Sequence, residues 1–128
     1  MRALMSLALA LSLASSLALA AMQAPSANVQ TMAGILAKLN HFPNDAEKAT
    51  LGGIVKSPTA TAHEKAIAQA LMNMQHSVSG ADKAGLEAVL KDQSAPAGVR
   101  TLAEVLAKTT HTASAAEKEA LTKLATGK

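Results

Sequence analysis

Residues 36–48 read LAKLNHFPNDAEK, residues 71–83 read LMNMQHSVSGADK, and residues 106–118 read LAKTTHTASAAEK. Laid over one another, they put His41, His76 and His111 in one column at a spacing of 35 residues. Leu36, Leu71 and Leu106 align five places before the histidines, and Lys48, Lys83 and Lys118 align seven places after. A fixed period in the middle thirties marks a tandem repeat. Each unit of such a repeat is one supersecondary element that must lean on its neighbours to bury an apolar face.

Upstream of the histidines the columns are Met32, Ile67 and Leu102; Ile35, Ala70 and Val105; Leu36, Leu71 and Leu106; and Leu39, Met74 and Thr109. Their spacing of i, i+3, i+4, i+7 traces one face of an α-helix, not the alternation of a strand. Downstream, Leu51, Leu86 and Leu121 are followed at i+3 and i+4 by Ile54, Val89 and Leu124, then Val55, Leu90 and Ala125. Each unit is therefore two amphipathic helices, and the units span about residues 26–56, 61–91 and 96–126.

The joints carry helix-start signals. Asn44, Ser79 and Ser114 share a column, and three residues on come Glu47, Asp82 and Glu117. This is the pattern of a capping box, in which the cap side chain takes a free N–H of the first turn and the acid reaches back to the cap's own N–H. Thr61 with Glu64 repeats it ahead of a first helix, and Ser94 followed by Pro96 reads as a cap with proline in the first turn. The fold class expected is all-α, with three tandem antiparallel helical hairpins stacked as a short α-solenoid. A compact six-helix bundle of the same hairpins is the alternative. The solenoid is favoured by a second stripe on the second helices: Ala46, Ala49 and Gly53, then Ala81, Ala84 and Ala88, turn into Ala116, Glu119 and Lys123 in the last unit. Charge where a further repeat would dock suggests a solubilising terminal helix.

Residues 1–20 are of another kind. Arg2 precedes an apolar run from Ala3 to Leu13, and Ala18-Leu19-Ala20 is a small-x-small processing site. That is the pattern of a secretory signal peptide cleaved after Ala20, which predicts a periplasmic or secreted protein with no membrane attachment after cleavage. The chain has no cysteine, so in an oxidising compartment it has no disulfide framework and depends on packing. Its core residues are Leu, Ile, Val, Met and Ala, and Phe42 is its single aromatic residue.

Without Arg2, the twelve Lys and Arg become eleven against nine Asp and Glu, a formal charge of +2. So small an excess, with no aromatic platform for bases, does not point to nucleic acid. The column Lys48, Lys83 and Lys118 is the candidate partner-binding surface, set against its reading as a solvated face balancing the neighbouring acids.

No nucleophile elbow, phosphate-cradling glycine loop or His-Glu-x-x-His zinc helix is present, and no cofactor is implied. The histidine column, with Met72, Met74 and His76 close together, invites a copper-type metal reading. In an open stack successive helices lie about 8–10 Å apart. One ion, which needs its nitrogens about 2 Å away, would then be out of reach of all three histidines. The expectation is no designed metal site, with His76 and Met72 the residual candidates. His41, His76 and His111 are expected to serve structurally in the last turn of each first helix, bonding free carbonyls there.

The run Leu86, Val89, Leu90 and Asp92, then Val99-Arg100, Ala103 and Leu106-Ala107, resembles the junction between two HEAT-type repeats. In that pattern an Asp closes one second helix and a Val-Arg pair opens the next first helix. The resemblance covers one junction; the matching positions a repeat earlier hold Ser57 and Glu64-Lys65. It implies a scaffold that binds proteins or peptides along a concave face of second helices, with no chemistry of its own. The function expected is thus an exported interaction or adaptor module rather than an enzyme. The alternative is a periplasmic metal-handling or pH-responsive protein using the histidine column.

Overall fold

The computed structural model describes residues 25–127, so residues 1–20, where a signal peptide is expected, lie outside the described residues. Among the described residues, no helix is long and apolar enough to cross a membrane. The chain forms α1 (Ala27–Ala37), α2 (Asp45–Lys56), α3 (Ala62–Met72), α4 (Gly80–Lys91), α5 (Ala97–Lys108) and α6 (Ala115–Ala125). The expected all-α class of three tandem helix pairs is what forms.

Local chemistry sets the starts. Asn44, Thr61 and Ser114 each form a complete capping box with Glu47, Glu64 and Glu117. Ser79 accepts from the Asp82 N–H but gets no return bond to its own N–H. Aspartate is one methylene shorter than glutamate, and its Oδ2 instead takes the Ser79 hydroxyl at 2.8 Å. A side-chain cap of this kind contributes about 1 kcal/mol. The expectation for Ser94 is corrected: α5 begins after Pro96 with no side-chain cap, and Ser94 turns back to bond Asp92 through both its N–H and its hydroxyl.

The first helices α1, α3 and α5 pack against one another in the centre. Met32, Ile67 and Leu102, then Leu36, Leu71 and Leu106, are fully buried, as are Ala33, Ala68 and Ala103, whose methyl groups leave room for close helix approach. Thr109, buried in the column of Leu39 and Met74, satisfies its hydroxyl by donating 2.7 Å to the Val105 carbonyl.

The second helix of each unit reaches the first helix of the following one: α2 lies mainly on α3, α4 lies on α5 about as much as on α3 of its own unit, and α6 lies mainly back on α1. At this last contact a Cβ on Gly34 would sit 3.9 Å from the Ala125 Cβ. The three hairpins therefore close into a ring with approximate threefold symmetry, and the compact six-helix arrangement describes them better than an open solenoid. The physical reason lies in unit one. Val29, Met32, Ala33, Ile35 and Leu36 form a face as apolar as that of unit three, and docking α6 on α1 buries what an open stack would leave wet. The small-residue stripes play no part, since Ala46, Ala49 and Gly53, with Ala81, Ala84 and Ala88, face solvent like Glu119 and Lys123.

Candidate metal centre

In a closed ring, equivalent residues are related by rotation about one axis instead of translation along a stack. Each first helix ends three or four residues before its histidine: α1 at Ala37, α3 at Met72 and α5 at Lys108. The chain then turns sharply. His41, His76 and His111 have φ of 72°, 68° and 65°, the left-handed region that costs a non-glycine residue about 1–3 kcal/mol and persists only where its surroundings enforce it. At His41 and His111 the turn is three residues long, closed by Phe42 N–H to the Asn40 carbonyl at 2.9 Å and Thr112 N–H to the Thr110 carbonyl at 2.7 Å.

What enforces the conformation is a triangle of backbone hydrogen bonds around the axis. The His41 N–H donates to the His111 carbonyl at 2.7 Å, the His76 N–H to the His41 carbonyl at 2.9 Å, and the His111 N–H to the His76 carbonyl at 2.6 Å. Each of these three histidines gives one bond and receives one. The peptide groups are satisfied, and the three side chains leave the triangle together.

The rings meet edge to face, with centroids 4.9–5.1 Å apart. His111 Nδ1 lies 3.0 Å from His41 Nδ1 and 3.0 Å from His76 Nδ1. One nitrogen of each ring falls within 4.8 Å of the other two. Three imidazole nitrogens held about 2.0–2.1 Å from one ion in tetrahedral directions sit about 3.3–3.4 Å apart, close to the two Nδ1 separations at His111. Without a cation, two Nδ1 atoms compete for one partner at His111. An imidazole N–H can serve one such contact well, and lone pairs left facing each other repel.

The expectation that the histidines stay 8–10 Å apart is thereby overturned, because it assumed translation between units. The capping role assigned to them is corrected as well: they lie beyond the last helical turn, and their ring nitrogens face one another instead of helix carbonyls. Of the residual candidates, His76 belongs to the cluster and Met72 does not. Met72 is half-buried between helices, its Sδ 3.8 Å from where a Cβ on Gly52 would be. Met74 is buried in the core. Among the described residues the donor set is the three imidazoles, and neither Met72 nor Met74 joins it.

The other site residues fall as follows. Glu47 and Glu117 each complete a capping box, and Asp82 is bonded to Ser79 and to the Asn73 amide. Lys83 and Lys118 are exposed, whereas Lys48 is half-buried with its Nζ 5.7 Å from the Phe42 ring centroid. Phe42, 52% exposed, adjoins His41 in sequence and lines a small pocket with Lys48, Gln75 and His76.

At the opposite end, the starts of α1, α3 and α5 surround a cavity of about 330 Å³ lined by Ser26, Val29, Thr61, Glu64, Pro96 and Val99, among others. Glu64, almost fully buried, holds the Val29 and Val99 column there. It accepts from Ser26 Oγ at 2.7 Å, Asn28 Nδ2 at 3.0 Å and the Thr61 N–H at 3.2 Å. Burial pushes its carboxyl pKa up, but the bonds from Asn28, Ser26 and Thr61 outweigh that and hold it below its ordinary value. A carboxylate also suits the positive ends of the helices that start there. Its bonding capacity is used within the fold, so this end reads as structure.

Compared with protein-family models, curated proteins and solved structures, the chain finds no match in any of the three.

Proposed function

We propose that this chain is an exported metal-binding protein that holds one divalent ion, zinc or copper(II), through Nδ1 of His41, His76 and His111. The observation that carries the reading is the pair of 3.0 Å Nδ1 separations at His111, close to the spacing a tetrahedral ion imposes. All-imidazole ligation favours zinc and copper(II) over the softer copper(I), which thioether or thiolate would select, and over magnesium and calcium, which take oxygen. Three protein ligands leave a fourth position on the exposed face, the form of a site that exchanges ligands or hands over its ion. Placement outside the cytoplasm rests on residues 1–20. A cysteine-free imidazole site suits an oxidising compartment, since it contains no thiol to lose. An adaptor role keeps only the exposed part of the lysine column as its support, because a closed ring lacks the concave face from which that role was argued.

Competition against a chromophoric chelator tests the proposal. The expected result is one zinc or copper(II) per chain with a micromolar or tighter Kd, weakened about tenfold or more by His41→Ala, His76→Ala or His111→Ala alone. Equal affinity in the triple variant would overturn it, as would one ion shared between two chains.

A further inference from the structure

Three neutral imidazoles do nothing to offset the charge of a divalent ion; Glu47, Asp82 and Glu117 are engaged at helix starts, and Asp45, the acid nearest His41 in sequence, is exposed on the first turn of α2 and is not part of the cluster. A loaded site therefore presents two positive charges at an open coordination position. Adjoining the cluster at His76, one of its three imidazoles, is a pocket of about 180 Å³ lined also by Phe42, Lys48 and Gln75. A third positive charge, the Lys48 ammonium, borders that pocket while held near the Phe42 ring.

The repeat makes this arm unlike the other two. Where unit one has Phe42, units two and three have Ser77 and Thr112, so the one aromatic side chain of the protein lies next to the cluster on one side only. A single exposed phenylalanine needs no explanation by itself. Here it forms an apolar wall of a pocket whose other sides are a cation, an amide and a metal ligand. That combination suits a ligand with a negative end and an apolar end. The volume, below the about 300–1,000 Å³ of drug-sized sites, limits it to a small one.

We propose that the metal's fourth position and this pocket together bind a small apolar carboxylate. One carboxylate oxygen coordinates the ion, the charge faces Lys48, Gln75 offers its amide N–H, and the hydrocarbon part lies on Phe42. This rests on the metal reading above and extends it to the class of exogenous ligand. A monocarboxylate matches one lysine and one open coordination position; a phosphate dianion would call for more donors than the pocket offers.

The test uses the purified protein loaded with cobalt(II), whose visible absorption reports its fourth ligand, titrated separately with benzoate, acetate and inorganic phosphate. Benzoate is expected to shift the spectrum at a concentration about fivefold or more below acetate, the difference coming from burial of its ring against Phe42. Lys48→Met should weaken benzoate about fivefold or more. Phe42→Ser, which installs the residue of the second unit, should erase the advantage of benzoate over acetate. Cobalt that binds with a spectrum indifferent to all three anions, or that prefers phosphate, or that binds benzoate equally in Lys48→Met, would overturn this proposal and leave the metal site standing. Cobalt that fails to bind would overturn both.

Discussion

The His41 N–H reaches the carbonyl of His111, 70 residues away in the chain, at 2.7 Å. That bond completes the backbone triangle, and it exists only where unit one meets unit three. Closing the ring and assembling the three imidazoles are consequently one structural event.

The closure can be weighed through the column Leu51, Leu86 and Leu121, all fully buried. In an open stack Leu121 would lie on a terminal helix and matter less than the other two. In the closed ring each Leu→Ala substitution should cost about 2–5 kcal/mol, with Leu121 within about 1 kcal/mol of the others. Urea unfolding of the three variants measures it, and a clearly smaller loss at Leu121 would contradict the closure.

The histidine backbone gives an opposite expectation for metal-free stability. Glycine adopts φ near +70° without a Cβ clash, which relieves about 1–2 kcal/mol, while its freedom in the unfolded chain takes back about 0.5–1 kcal/mol. His111→Gly should leave the metal-free protein as stable as the parent or up to about 1 kcal/mol more so, yet abolish the stabilisation zinc gives. Thermal unfolding with and without zinc reads both, and a large metal-free loss would mean that the imidazole is structural.

Glu64 titrates in favour of the fold above its unfolded pKa. Because its folded pKa is lowered, the unfolded chain binds more protons between the two values. Its stabilisation is complete above the ordinary value of 4.5 and is lost as pH falls through the folded pKa. Glu64→Ala removes the box with Thr61 and leaves Ser26 and Asn28 without their acceptor, a cost of about 1–3 kcal/mol at pH 7. The gap between parent and variant in urea midpoint should narrow on acidification; a gap independent of pH would show that the carboxylate charge is irrelevant.

Asp92 ties the end of α4 to the start of α3. His63 Nε2 lies 2.7 Å from its Oδ2, and bonds from His63 and Ser94 bring its pKa down from 3.8 to about 2. The sign is that of Glu64: the contribution is full above 3.8 and fades as pH drops toward about 2. Asp92→Asn should therefore flatten the stability profile between those pH values. A variant whose profile superimposes on the parent's would contradict the linkage.

The helices were legible because local rules decide them: the 3.6-residue periodicity and the boxes at Asn44, Thr61 and Ser114 require no knowledge of neighbours. Closure is a relation between units, and the columns of a repeat are the same whether units are related by translation or by rotation. One signal did distinguish the two. Unit one is apolar at Val29, Met32 and Ile35, where the first member of an open stack would need a polar outer face. The Ala116, Glu119 and Lys123 column pointed the other way only because its solvent-facing position in every unit is invisible in sequence. The convergence of the imidazoles follows from closure together with positive φ, a region that histidine enters more often than most non-glycine residues but still too rarely for its presence alone to announce it.

The most direct measurement is a long-range ¹H–¹⁵N correlation of the histidine rings in ¹⁵N-labelled protein during zinc titration. Nδ1 of His41, His76 and His111 should move together to the metal-bound range and saturate at one zinc per chain, with Nε2 keeping its proton and His63 unchanged. Coordination through Nε2, or a response from only one or two of the three rings, would contradict a single shared ion on the axis of the ring.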